Sequence, residues 1–190
     1  RDSFVIGAHH GMTTGMVAID EDDPFSGVKS WIIKPNTKSR GIDHYESIGK
    51  KIYITEQIIT KLESLFESKI IIGIEGYSFS KFGMAESGEL GGIVKSMLWN
   101  KGFEYSIFPP TSIKKFACGS GAAKKELMIA AVYKRWAFDT NDNNLADAFA
   151  VAKLLRAVHY YKQDGFVDGL TDFQLQVVKN LVEPKPKKVK

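Results

Sequence analysis

A chain of 190 residues has room for one domain with one sizeable core and none for a second full lobe, since compact domains usually hold about 100–200 residues. Apolar residues at 44% and charged residues at 25% are ordinary for a globular protein, and the longest apolar runs, such as Ile70–Ile74, are far too short to cross a bilayer. A net charge of +4 fits a phosphate-rich partner without demanding one, and the single cysteine, Cys118, excludes an internal disulfide or a multi-cysteine zinc cluster.

The chain opens at Arg1 with no initiator methionine and no signal peptide, as expected where upstream residues have been trimmed. Phe4–His9 predicts a strand, Gly11–Gly15 a tight turn and Met16–Asp20 a second strand, the pattern of a hairpin entering a buried sheet. Ser30–Lys34 supplies a third strand. After a loop at Pro35–Arg40, Ile48, Ile52, Ile59, Leu62 and Leu65 recur at helical spacing, so an amphipathic helix is expected over about Tyr45 to Lys69. Ile70–Glu75 is a continuous apolar run ending in one carboxylate, as in a central parallel strand covered on both faces.

Gly76–Gly83 mixes Gly, Ser and aromatics and predicts a loop. Ala85–Lys101 returns to helical period with Gly88, Gly91 and Gly92 inside it; each costs about 1 kcal/mol relative to Ala, which suggests close packing there. Tyr105–Phe108 is a short strand closed by Pro109–Pro110. A helical turn at Ser112–Phe116, a loop at Cys118–Gly121 and helices at about Ala122–Trp136 and Asn144–Tyr161 follow. One domain over 1–163 then gives way to an extension, 164–190, with a weak helix at Asp172–Val182 and a Lys/Pro tail unable to form a core. Hairpin strands first, then strands alternating with helices, predict an α/β layer fold on a mixed sheet.

Three polar points fall at element ends: His9, Glu75, and the pair Asn144 and Asp147, whose three-residue spacing puts both on one helical face. Distant oxygens converging on Mg²⁺ are what phosphodiester hydrolysis uses, because hard ligands hold ions that activate water and stabilise the leaving oxygen. Taken singly each has a plainer reading. Glu75 alone is a solvated strand end, Asp147 alone a first-turn acid favoured by the helix dipole, and Lys114, Lys115, Lys124 and Lys125 a solvated face. His9 and His10 are adjacent on a strand and point to opposite faces, which argues against a shared zinc.

The motifs in order resemble the RuvC-type Holliday-junction resolvases of the RNase H-like superfamily, especially phage-borne ones. Ile6-Gly7-Ala8-His9-His10-Gly11-Met12-Thr13-Thr14-Gly15 is similar to the family's opening Asp-Pro-Gly turn leading to Thr-Gly. Glu75 after its isoleucine-rich strand resembles the second metal ligand. Pro110–Lys114 followed by Gly119–Lys125 resembles the Pro…Lys and Gly-x-Gly-x-Ala-x-Lys segments, and Asn143–Ala148 the start of the final helix. The likeness runs from about Val5 to Leu155.

That resemblance implies an RNase H-like fold, a mixed sheet flanked by helices, and an endonuclease of DNA recombination and repair that cuts branched, four-way junction DNA with Mg²⁺ or, as a substitute, Mn²⁺. It places His9, Glu75, Asn144 and Asp147 at the metals and Lys114 and Lys125 at the scissile region, Lys125 as part of the catalytic set. Lys114, Lys124 and Lys125 would contact DNA, as would Tyr77, Phe79 and Lys81 in the loop after Glu75, where an aromatic stacks into the opened junction. A twofold homodimer is implied, with its interface around Gly88–Leu98, and a cytoplasmic location, that of the host if phage-encoded.

His9 departs from the family, which carries Asp there; a neutral imidazole lacks the charge of an Asp bridging two hard ions. Three readings stand: an introduced substitution that traps a complex, a natural variant that binds junctions without cutting, or an imidazole-adapted site favouring Mn²⁺. Asn144 stands where the family has Asp or His, and Asp142 is the nearby carboxylate that would compensate. The alternatives to a resolvase are a non-catalytic junction binder and an RNase H-type ribonuclease. A sugar-kinase or actin-like ATPase needs two lobes, for which 190 residues leave no room.

Overall fold

The computed structural model describes residues 3–9, 12–21, 27–35, 44–65, 69–76 and 84–183. Five strands, β1 (Ser3–His9), β2 (Thr14–Asp20), β3 (Val28–Ile33), β4 (Lys69–Glu75) and β5 (Tyr105–Phe108), form one sheet in the order β3-β2-β1-β4-β5. The first three are antiparallel neighbours, while β4 runs parallel to both β1 and β5. Helices α1 (His44–Glu63) and α2 (Met84–Asn100) cover one face. Helices α3 (Pro110–Cys118), α4 (Lys125–Trp136), α5 (Asn143–Asp164) and α6 (Asp172–Val182) build the other.

Alternation along the strands separates two cores. Phe4, Ile6, Met16, Ala18, Ile72 and Ile74 pack with α1 and α2, whereas Val5, Val17 and Ile19 pack with α5. Helix α5 is the centre of the molecule: Ala146, Ala148, Phe149, Ala150, Val151, Ala152, Leu154 and Leu155 are all buried. A helix buried nearly all round needs small residues where it meets backbone, and its alanines meet glycines of the sheet. A Cβ on Gly7 would overlap the carbonyl oxygen of Ala148, and one on Gly73 would press on Val151 and Leu155 at 3.1 and 3.2 Å. Gly7 and Gly73 are register partners on β1 and β4, so they form one shallow trough into which α5 settles.

The element ends differ from expectation in instructive ways. The turn expected at Ser112–Phe116 is a full helix, Pro110–Cys118, because Pro110 occupies its first turn and Gly119, at φ 82°, closes it in the left-handed conformation. The helix expected from Ala122 starts at Lys125 instead, since Gly121 is held against the Thr111 carbonyl and the chain turns there. Thr14 and Gly15 belong to β2 rather than to a turn. The close packing expected at the glycines of α2 is not found at Gly88 and Gly92, where a Cβ would meet nothing within 4 Å; that helix docks through Leu90, Val94 and Leu98.

The segment beyond residue 163 contributes α6 to the same core as α5, through Val177 and Val178. A capping box of Thr171 and Gln174 starts that helix, and Gln174 also donates to the Phe116 carbonyl at 3.2 Å. On the opposite face, Lys51 is buried and bonded to Glu89 and Ser47, fastening α1 to α2.

Candidate metal and nucleic-acid site

Sheet register and helix period together bring the proposed ligands to one end of the molecule. The last registered pair between β1 and β4 is Ala8 with Ile74; one residue further along each strand stand His9 and Glu75. Both positions fall in the alternating set of Gly7 and Gly73, the set that faces α5. His9 is also paired with Gly15 across the hairpin, and a Cβ on Gly15 would overlap the backbone carbonyl of Asn144. The start of α5 therefore sits on the residue next to position 9.

Asp147 follows from the same contacts. Helix α5 lays the row Asn144, Ala148, Ala152 over Gly15 and Gly7, and the row Val151, Leu155 over Gly73. Asp147 is one turn before Val151 on that second row. Because α5 runs back along the strands, a step from Val151 to Asp147 moves toward the end of β4, where Glu75 stands. Position 9 and Glu75 from the strands, and Asn144 and Asp147 from the helix, thus border one region.

At the head of α5, Asp142 is extended and its Oδ1 accepts from the Asn144 and Leu145 backbone N–H groups at 2.8 and 3.3 Å and from Asn144 Nδ2 at 3.1 Å. This carboxylate, expected as a compensating ligand, is engaged as a helix cap. Asn143 Oδ1 is buried with no hydrogen-bond partner among the described residues; at one turn before Asp147 it belongs to the row that runs over β4. Among the described residues no three His, Cys, Asp or Glu side chains cluster closely enough to hold an ion by themselves. Any ion here would use the Asn144 amide, position 9, or both.

The lysines fall into two groups. Lys114 on α3 is half-buried, and it shares a neighbourhood with Asp147: burial pushes the Cys118 thiol up, Arg135 and Lys114 oppose the rise, and Asp147 adds to it. Lys124 and Lys125 are exposed at the head of α4, as N-cap and first residue, with no side-chain cap. Two cations stand there at the positive end of a helix dipole against the one carboxylate of its first turn, Glu126, an arrangement that favours an incoming anion. Tyr77, Phe79, Lys81, Phe82 and His10 lie outside the described residues, and His9 is placed by its backbone only.

The sequence reading gives Gly73 no part in the site, includes Gly7 and Gly15 only as letters of the opening motif, and takes Asp142 as a ligand rather than a cap. A glycine inside an apolar strand is a sign of close backbone approach, and that sign was available at Gly7 and Gly73. No helix is long and apolar enough to cross a membrane among the described residues.

No family model and no curated protein matches the chain. Among solved structures it is similar to RuvC from Thermus thermophilus, with 19% identity and a TM-score of 0.57 over 85% of this chain and 96% of that one. A structure of the same T. thermophilus protein in complex with a Holliday junction substrate matches with the same identity, TM-score and coverage. With its five-stranded mixed sheet and two helical layers, the chain has the RNase H-like α/β fold seen in RuvC.

Proposed function

We propose that the chain is a structure-selective endodeoxyribonuclease acting on branched DNA, four-way junctions above all, through a divalent-cation site at the ends of β1 and β4. The observation that carries this reading is the seating of α5 on Gly7, Gly15 and Gly73, which draws Asn144 and Asp147 toward position 9 and Glu75 on a RuvC-like fold. One of the similar structures holds a Holliday junction substrate, and branched DNA is the substrate we carry to this chain.

The donors suit a hard divalent cation. Glu75 and Asp147 offer carboxylates, Asn144 an amide oxygen, and Asn143 Oδ1 is a buried acceptor lacking a donor among the described residues. An imidazole at position 9 shifts preference from Mg²⁺ toward Mn²⁺. Cations bound there would supply activated water and charge stabilisation for in-line hydrolysis of a phosphodiester. Lys125 would place an ammonium where negative charge grows on the scissile phosphate. Lys114 and Lys124 would hold neighbouring phosphates, and Tyr77, Phe79 and Lys81 would engage the opened strands. Residues 1–163 would carry this chemistry, and the expected setting is the cytoplasm.

Symmetric resolution takes paired cuts, so a twofold dimer belongs to this reading. Helix α2 is the surface we assign to it: Gly88 and Gly92 leave room for close approach and Trp99 is 78% exposed at its end.

His9 favours a second reading, junction binding without cleavage. A gel assay on four-way DNA in Mg²⁺ and in Mn²⁺, comparing the chain with His9→Asp, separates the two. The nuclease reading expects cleavage that is restored or raised by His9→Asp, and expects hybrid RNA–DNA to be cut poorly. Tight junction binding with no cleavage by either protein in either ion supports the binder and overturns the nuclease.

A further inference from the structure

We propose that Asp142 is a positioning residue that orients and polarises Asn144 toward the cation, which rests on the metal-site reading given above. A helix cap needs only bonds to backbone N–H groups. Asp142 makes two of these and a third bond, to the Asn144 side chain, all through Oδ1. A carboxylate only accepts, so the end of the Asn144 amide that faces it is Nδ2. The amide group is planar, and pinning Nδ2 fixes where Oδ1 stands.

Asn144 is held from three sides. Gly15 underlies its backbone carbonyl, Asp142 receives its backbone N–H, and the same oxygen receives its side chain. Asp142 is steadied in turn, its own N–H donating to Thr140 Oγ1 at 3.1 Å. A ligand fixed this way does not lose rotamer freedom when it binds a cation.

The pair also has an electrostatic consequence. An amide whose N–H donates to an anion gathers negative charge on its oxygen, as hydrogen bonds in series polarise one another. Asp142 thereby conveys to Asn144 Oδ1 part of the charge that a directly ligating carboxylate would bring. Partners of this kind behind a metal ligand are worth about 10–100-fold in metal affinity.

The test is Mn²⁺ binding without DNA, followed by electron paramagnetic resonance, in the chain and in its His9→Asp variant. Asp142→Ser keeps a good helix cap but is too short to reach Nδ2; Asp142→Asn keeps the reach and loses the charge. Affinity is expected to fall about tenfold in Asp142→Ser and by a smaller factor in Asp142→Asn, with melting temperatures near that of the parent. In an Asn144→Ala background, Asp142→Ser is expected to add no further loss. Native affinity in Asp142→Ser while Asn144→Ala weakens binding overturns the positioning role and leaves the metal site standing. Native affinity in Glu75→Gln and Asp147→Asn overturns the metal site, and the positioning role with it.

Discussion

Gly15 lies so closely beneath Asn144 that any Cβ on it would overlap the Asn144 carbonyl. The residue that pairs with position 9 is thus the floor on which α5 begins. Gly15→Ala is expected to cost about 1–3 kcal/mol, the usual range for overpacking, and to weaken cation binding by displacing the start of α5. Gly49→Ala, on an exposed part of α1 where a Cβ would meet nothing within 4 Å, is expected to stabilise by up to about 1 kcal/mol. Thermal melts of both variants check this; an unchanged melting temperature in Gly15→Ala would refute the close seating.

Glu75→Gln and Asp147→Asn remove a charge with little change of shape. Each is expected to reduce junction cleavage by more than about a hundredfold, beyond the loss typical of a residue that only supports a ligand. Junction binding should survive, because the lysines are untouched. Measured on the His9→Asp protein, cleavage at the parental rate by either variant removes that carboxylate from the site.

Exposed Lys124 and Lys125 sit at the head of α4. If each neutralises one phosphate, replacing either by Ala lowers the slope of log affinity against log salt by about 0.9. The fold should be unaffected, as neither side chain is buried. Fluorescence anisotropy with a labelled junction across a salt series reads the slope, and parallel lines for parent and variant would exclude the contact.

Lys153, beside α5's buried Phe149, is pushed down to about 8 by burial and then by Arg156. Unfolded, it keeps its proton until about 10.5, so between those values the unfolded chain binds more protons and stability rises with pH. Below pH 8 the cost of the buried charge is fully present. Lys153→Met should therefore show its largest gain in melting temperature over the parent near pH 7, and the gap should close between pH 8 and 10. A gap that stays constant over that range contradicts the shift.

Some elements were legible because local chemistry announces them. Tyr105–Phe108 and Asp172–Val182 have the bounds expected of them, the first stopped by Pro109 and Pro110, the second started by Thr171 with Gln174 three residues on. Helix α3 was misjudged because the same prolines that end a strand also begin a helix. Of the three glycines of α2 expected to pack closely, Gly91 is buried, while a Cβ on Gly88 or Gly92 would meet nothing within 4 Å, because a helical glycine packs closely only on the face turned to the core.

By itself the sequence determined the α/β class, the element order and the polar strand and helix ends Glu75, Asn144 and Asp147, since periodicity is a property of neighbours along the chain, and the motif resemblance added the lysines as candidates. Only the tertiary structure decided that Gly7, Gly15 and Gly73 form the bed of α5 and that Asp142 caps it rather than reaching into the site. The bed joins residues from 78 positions apart (Gly73 and Val151) to 145 (Gly7 and Ala152), where strand register and helix direction, not local pattern, determine which atoms meet; the Asp142 cap is local, but which groups its carboxylate engages is decided only where the folded helix starts.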